Sequence, residues 1–225
     1  MLRLARWHIW LGWLVAVPLL LWTATGLWMV ARPIEEVRGT NLRSEAPHLA
    51  LDAATVRLPV LDSRPLEKVE LARRADRPVW LLRFADGDAR AADAATGTML
   101  PPVDAALARR IADAALAAPG EVTGVRAFTA DAPPLELRRE RASWQVAYEG
   151  GLHVYVDRLT GEVLAVRTSQ WRLFDIAWGL HIMDLETRED TSHPTLIGFA
   201  ALSLVSILFG SVLMFRRRRA RVTRQ

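Results

Sequence analysis

Two long uncharged runs at opposite ends of the chain constrain its fold more than any other feature. They cover residues 9–30 and 194–215. At roughly 1.5 Å per residue, a helix over either run reaches about 33 Å, enough to cross the hydrocarbon core of a bilayer. We therefore predict two transmembrane helices, 9–31 and 194–216, with a kink near Pro18, where a backbone carbonyl loses its donor.

Arginines outside both runs predict the orientation of the chain. Arg3 and Arg6 precede the first run, and a basic cluster follows the second. The positive-inside bias then places residues 1–8 and 217–225 in the cytoplasm and everything between the spans on the other side. The first run is longer than the apolar part of a signal peptide, so we expect an uncleaved anchor. The arginines of the cluster are Arg216, Arg217, Arg218, Arg219, Arg221 and Arg224.

Composition narrows the classes of partner and cofactor. The net charge is +4, but the excess sits in the terminal cluster beside a span. Lipid headgroups explain it better than a nucleic acid, so the bilayer is the predicted partner. The chain has no cysteine, which excludes disulfides, thiolate metal sites and covalently attached c-type haem.

An internal repeat with a spacing of 64 residues runs through the central segment, 32–169. In each copy apolar residues alternate with the period of a half-buried strand. A glycine-containing turn, a second strand and an Asp-x-x-Thr-Gly turn follow. The segment therefore contains two copies of a β-meander unit. The matching pairs are Trp80 and Trp144, Leu82 and Val146, Phe84 and Tyr148, Gly87 and Gly151, Asp93 and Asp157, Thr96 and Thr160, Gly97 and Gly161, and Leu100 and Leu164.

A helix precedes the second copy of the repeat. Apolar residues recur at helical spacing over 103–117, and Pro119-Gly120 ends the pattern. The first copy has only a ragged equivalent at about 51–60, interrupted by Pro59, so its helix is expected to be short or missing. We therefore predict an α+β fold, with two spans bracketing two units of helix plus antiparallel strands at about 51–100 and 103–167.

Two short elements separate the repeats from the second span. Residues 170–183 predict an amphipathic helix whose apolar face carries Trp171, Phe174, Trp178 and His181. We expect it to lie at the membrane interface. Residues 184–193 then form a loop on the outer side.

Three stretches of the sequence together resemble the PepSY-associated transmembrane family. They are "RWHIWLGWL" at the first span, "VYVDRLTGEVL" in the second repeat and "WRLFDIAWGLH" before the second span. The resemblance covers nearly the whole chain, although several members have four or more spans and this chain has two. It implies a bacterial inner-membrane protein with periplasmic PepSY-like repeats and, in some longer relatives, b-type haem and reduction of ferric siderophores.

Three histidines at the membrane borders are candidate haem ligands: His8 on the cytoplasmic side, and His181 and His193 on the outer side. Gly12 follows His8 one turn later, leaving a bare patch where a flat macrocycle could approach. The alternative is that these imidazoles bind water or headgroups, with His181 on a surface anchor. His8 and His193 lie at opposite ends of spans about 30 Å long. A bis-imidazole site would therefore need two chains, which points to a homodimer.

Other polar residues receive structural interpretations. The acidic loop before the second span could offer ligands to a divalent or ferric ion, but a solvated turn is favoured. His48 and His153 are expected to be structural and without evident partners. No serine, lysine or carboxylate pair stands out as a catalytic set, so enzymatic activity is left undecided. The loop residues considered as metal ligands are Asp184, Glu186, Glu189, Asp190 and His193.

Three functions remain open on the sequence. The first is a haem-binding accessory in periplasmic ferric-siderophore reduction or iron uptake. The second is a membrane-anchored module that binds a periplasmic peptide or protein at a sheet edge. The third is a small structural subunit of a transporter complex.

Overall fold

The computed structural model describes residues 2–45, 55–61 and 63–222, with side chains described up to Arg216. Its helices are α1 (Leu2–Val30), α2 (Ile34–Arg38), α3 (Ala105–Ala114), α4 (Ser169–Ile182) and α5 (Pro194–Val222). Its strands are β1 (Leu66–Arg74), β2 (Arg77–Phe84), β3 (Ala89–Asp93), β4 (Val122–Phe128), β5 (Ser143–Tyr148), β6 (His153–Asp157) and β7 (Val163–Arg167).

The chain divides into two compact units. The helical unit comprises Met1–Pro33 and Leu173–Gln225, and the sheet unit comprises Ile34–Arg172. Two apolar terminal helices and a central domain that contains sheets confirm the predicted α+β class.

The helical unit is built on an antiparallel pair, α1 and α5, which pack side by side. Two segments are long and apolar enough to cross a membrane: Leu2–Val30, with 29 residues, and Pro194–Arg216, with 23. Their apolar side chains point largely outward, as for Trp10 with 71% exposure, which is what a lipid-facing surface requires.

The helices extend beyond the predicted spans. α1 begins at Leu2 and α5 continues to Val222, so residues expected as separate cytoplasmic ends are helical over most of their length. α1 also continues through Pro18.

The sheet unit contains two antiparallel sheets in which strands follow one another in chain order. One has the order β1-β2-β3 and the other β4-β5-β6-β7. α3 packs on the second sheet, where Ile111 joins Val146 and Val156 in the largest buried cluster. The Asp104 carboxylate caps α3 by accepting from the Leu107 amide at 2.7 Å. The predicted helix over 103–117 is therefore present but shorter.

The two sheets repeat each other in register. Trp80 pairs with Ala92 in the first, and Trp144 pairs with Val156 in the second, so the 64-residue spacing is kept on both strands. The first strand of each sheet also has its irregularity at the same place, opposite the end of β2 or β5. The repeat is thus structural, and its assignment as PepSY-like stays a prediction.

The two copies differ at their ends. In the second copy Val156 pairs with Val163 at the start of β7, whereas the first copy keeps only an isolated bridge between Ala92 and Met99. Residues 55–60 of the predicted ragged helix are not helical. The rest of that predicted helix, and His48, lie outside the described residues.

Candidate functional site

His181 lies near the end of α4, with its imidazole against α1. Its Nδ1 is 3.0 Å from the carbonyl oxygen of Trp22 and 3.2 Å from the hydroxyl of Thr25. The ring stacks on the Trp22 indole, with centroids 4.7 Å apart and planes 18° apart. A second indole, that of Trp178, lies 6.4 Å away on a near-parallel plane. The imidazole is thereby fixed in position and orientation.

These contacts decide which nitrogen of neutral His181 carries the proton. The Trp22 carbonyl can only accept, and the Thr25 hydroxyl already donates to the Leu21 carbonyl at 2.7 Å. Nδ1 must therefore be the N–H donor, which leaves a lone pair on Nε2. Nε2 has no hydrogen-bond partner among the described residues. A histidine whose Nδ1–H is held by a carbonyl and whose Nε2 is free is suited to bind a metal.

Gly26 allows this close approach of α4 to α1. A Cβ at position 26 would lie 3.0 Å from His181 Cε1, closer than side-chain carbons normally come. Any larger residue would push the imidazole away from the Trp22 carbonyl. Gly26 is therefore needed for the contact between His181 and the Trp22 carbonyl.

His8 makes the corresponding contact at the other end of the hairpin. A Cβ at Gly210 would lie 3.0 Å from His8 Cε1, and the buried Ser206 hydroxyl is 3.5 Å from His8 Nδ1. Gly210 and Ser206 of α5 thus contact the His8 imidazole of the same chain. The surroundings of Gly12 are open, as expected, but His8 turns toward α5.

The two histidine contacts are far apart along α1. From His8 to the Trp22–Gly26 turn, the rise is about 21 to 27 Å at roughly 1.5 Å per residue. Two imidazoles at that separation cannot bind opposite faces of one macrocycle. Each would belong to a separate site.

His193 has a different environment, at the start of α5. Its Nδ1 lies 2.6 Å from the Thr195 hydroxyl, and its carbonyl accepts from the amides of Leu196 and Ile197 at 3.0 and 3.2 Å. These contacts cap the N-terminus of α5. The structure does not bring His193 to either of the other two histidines.

The acidic loop is organised around Asp184. This carboxylate accepts from four backbone amides of the loop, those of Glu186, Thr187, Glu189 and Asp190. The Thr187 hydroxyl donates to it as well, and these hydrogen bonds hold the pKa of Asp184 well below its usual range. Among the described residues no group of side chains is arranged to hold a metal ion. The sequence favoured a solvated turn; the segment does form a turn, but its central residue, Asp184, is only 5% exposed.

A polar cluster in the second repeat was not predicted. His153 Nδ1 lies 2.6 Å from Glu136 Oε1, to which the buried Tyr155 hydroxyl also donates. Gln145, opposite Tyr155 in the sheet, contacts the same oxygen at 3.3 Å. The expectation that His153 lacks a partner was wrong, because Glu136 arrives from a 3₁₀ turn, Leu135–Leu137, rather than from a strand.

Burial and hydrogen bonding oppose each other at Glu136. Burial raises the pKa of its carboxyl, but hydrogen bonds from His153 and Tyr155 outweigh that effect, so the net shift is downward. Burial and the nearby Glu136 carboxylate raise the pKa of Tyr155, which keeps the phenol protonated. The cluster is therefore a carboxylate held by the Tyr155 and Gln145 side chains, by the His153 imidazole, and by Arg172, whose NH1 lies 3.5 Å from Glu136 Oε2.

Fold and site together define a membrane protein: a two-helix hairpin with an imidazole packed on glycine near each end, carrying a domain of two antiparallel sheets. The family model described as "PepSY-associated TM region" matches residues 5–225. The chain therefore belongs to this family. Comparison with curated proteins and with solved structures gives no match.

Proposed function

We propose that this protein is a haem-binding accessory of the bacterial inner membrane that takes part in periplasmic reduction of ferric siderophores or in iron uptake. The observation that carries the proposal is the Nε2 lone pair of His181, which no described residue engages, while its Nδ1–H is held by the Trp22 carbonyl at 3.0 Å. His8 is the second proposed ligand. The sheet unit would lie in the periplasm, with both termini in the cytoplasm.

The residues around His181 fit a b-type haem. The Trp22 carbonyl fixes the imidazole tautomer and its orientation, as carbonyl and carboxylate acceptors do when they bind the other ring N–H of a metal-bound histidine. The indoles of Trp22 and Trp178 lie on near-parallel planes 4.7 and 6.4 Å from the imidazole, and so supply flat apolar surface beside it. Haem iron, when bound, supplies one-electron exchange. No nicotinamide or flavin loop is evident in the sequence, so electrons would have to come from a separate donor.

A homodimer would complete each site. Since His8 and His181 are separated by about 21 to 27 Å along α1, a second imidazole for either haem would come from the same residue of another copy. Two hairpins would then form a four-helix bundle with a haem near each membrane face. A larger membrane complex could supply the second ligand in the same way.

An absorption spectrum of the detergent-solubilised protein tests the proposal. Wild type purified from haem-replete cells, or loaded with haemin, should show a Soret band. His181→Ala and His8→Ala should each lose a large part of it, because each removes one ligand. His193→Ala is the matched control, since His193 caps α5. A colourless wild type after loading, or equal loss in the His193 variant, would overturn the proposal.

The proposed orientation has its own test. Protease added to intact spheroplasts should cleave the sheet unit and spare the terminal segments. The opposite pattern would reverse the topology and place the domain in the cytoplasm.

A second candidate function is binding of a periplasmic peptide at a sheet edge. β4 pairs only with β5 among the described strands, so its other edge can accept an added strand. This function needs no histidine. If wild type and His181→Ala retain the same partner equally in pull-downs from periplasm, the result favours this function. If the partner is lost together with the haem in His181→Ala, the result does not favour it.

A further inference from the structure

A groove rich in arginine lies within the sheet unit, beside the tip of the β1–β2 hairpin and α3. It consists of two adjoining cavities of about 790 Å³ and about 350 Å³. Both are lined by Ala75, Asp76 and Arg110. We call the two together the arginine groove.

Cations outnumber anions on the walls of the arginine groove. The lining arginines are Arg43, Arg73, Arg74, Arg77 and Arg110, and the lining carboxylates are Asp76, Asp93 and Glu162. Two of these carboxylates are already engaged. Glu162 pairs with Arg83 at 2.7 Å, and Asp93 accepts from the amides of Ala95 and Thr96 at 2.9 and 3.0 Å. Asp76 alone makes no hydrogen bond or ion pair with the residues that the structure describes.

Several of the arginines have no side-chain partner among the residues that the structure describes. Within the described part of the chain, the side chains of Arg43, Arg77 and Arg110 make no hydrogen bond or ion pair. Arg74 is only 6% exposed, and its NH2 donates to the Pro101 carbonyl at 3.0 Å. The buried Nε of Arg74 has no hydrogen-bond partner in the described ranges. The guanidinium groups of Arg43, Arg77 and Arg110 therefore have donors that an added anion could use.

The hairpin tip that carries these groups is held in place by packing. Ala75 adopts a left-handed conformation, with φ 56°, which is unfavourable for alanine. Its methyl group packs against the core of the second repeat. The chain therefore keeps Arg74, Asp76 and Arg77 at fixed positions on the groove wall, and binding would need little reorganisation.

We propose that the arginine groove binds a small anion with several carboxylate or phosphate groups. Guanidinium forks match both groups in geometry, and their hydrogen bonds to charged oxygens are among the strongest in proteins. The volume exceeds what a single phosphate needs and is in the range of small-molecule sites. Arg110, which lines both cavities, is the central residue. This site is separate from the proposed haem ligands and does not depend on them.

Isothermal titration of the full-length protein in a neutral detergent, at low ionic strength, tests the proposal with citrate and with pyrophosphate. Wild type should bind at least one of them, and the preferred one identifies the oxyanion. Arg110→Gln should weaken binding about tenfold or more, since a charge-assisted pair is lost. A third titration, with a short-chain phosphatidate, separates a lipid phosphate from a soluble one.

The neighbouring Arg109 provides the matched control. It carries the same charge one residue away on α3 but pairs with Asp113 at 3.7 Å and does not line the groove. Arg109→Gln should change the affinity less than about twofold. Asp76→Asn should strengthen binding, because it removes the one unengaged carboxylate. This gain cannot come from misfolding.

Three results would overturn the site. Wild type could bind none of the anions, Arg109→Gln could weaken binding as much as Arg110→Gln, or Asp76→Asn could leave the affinity unchanged. A Soret band that persists in Arg110→Gln would separate failure of this site from failure of the haem proposal.

Discussion

The imidazole of His8 rests on Gly210 of the opposite transmembrane helix, where a Cβ would come within 3.0 Å of the ring. His181 and Gly26 repeat the relationship at the other end of the hairpin. In both cases a glycine supplies the space and a histidine fills it. Since apolar burial does not drive helix association in lipid, close contacts of this kind carry much of the packing energy.

Adding a methyl group at either glycine should therefore loosen the hairpin. We expect Gly210→Ala and Gly26→Ala each to destabilise the helical unit by about 1–3 kcal/mol, the usual cost of overpacking. Gly12→Ala and Gly198→Ala are controls, because nothing lies within 4 Å of a Cβ at those positions. Thermal unfolding in detergent, followed by helical circular dichroism, measures the effect.

A double-mutant cycle attributes the cost to the imidazole. In a His8→Ala background, Gly210→Ala should cost much less, since the methyl group then meets empty space. Additive losses would show that the glycine acts on the helix backbone instead.

The spans and the repeat could be predicted from the sequence, because each produces a recognisable pattern of apolar residues. Long uncharged runs indicate helices in lipid, and alternation around Trp80 and Trp144 indicates strands. The matching register of the two sheets then follows from the shared spacing. The strand β7 was harder to predict. Met99 and Val163 follow similar turns in the two copies, so the sequence does not show that a strand forms only in the second copy.

The side-chain contacts could not be predicted, because they depend on how elements meet. The sequence places Gly12 beside His8 on one helix face, but rotation of α1 against α5 decides that the ring turns to Gly210. Glu136 lies in a loop after Pro133-Pro134, whose path no periodicity encodes. Its contact with His153 therefore emerges only in three dimensions.

The two equivalent aspartates of the repeat should differ sharply in importance. Asp157 is 1% exposed and binds Arg141 through two hydrogen bonds, from Nε at 2.9 Å and NH2 at 2.6 Å. Both Asp157 and Asp93 also accept backbone amides in their turns. Asp157→Ala should cost about 3–5 kcal/mol, because it breaks a buried ion pair, whereas Asp93→Ala should cost about 1 kcal/mol.

Urea unfolding of the full-length protein, followed by tryptophan fluorescence, compares the two variants. Arg141→Gln should also be strongly destabilising, because it leaves the Asp157 carboxylate buried without its cation. Equal losses for Asp157→Ala and Asp93→Ala would mean that the turn, and not the ion pair, sets the stability of this corner.

Glu136 should make the sheet unit sensitive to acid. Its pKa in the folded chain lies below the ordinary value of 4.5, because hydrogen bonds from His153 and Tyr155 outweigh the opposing effect of burial. A carboxyl with a lowered folded pKa contributes stability above its unfolded pKa, and this contribution is lost as pH falls through the folded value. Wild type should therefore lose stability below about pH 4.5. Glu136→Gln should be less stable near neutrality and show a flatter decline, so that the two curves converge in acid.

Unfolding midpoints measured from about pH 7 to about pH 3 decide the point, with Glu140→Gln as the control. Glu140 is an exposed glutamate only a few residues away, so its substitution should leave the curve of wild type unchanged. If Glu136→Gln instead runs parallel to wild type over the whole range, the acid sensitivity must come from other carboxylates. Asp88 and Asp184, whose pKa values hydrogen bonds also lower, would then be the residues to substitute. Convergence of the Glu136 curve alone would establish that the ionised Glu136 carboxylate holds the loop to the sheet.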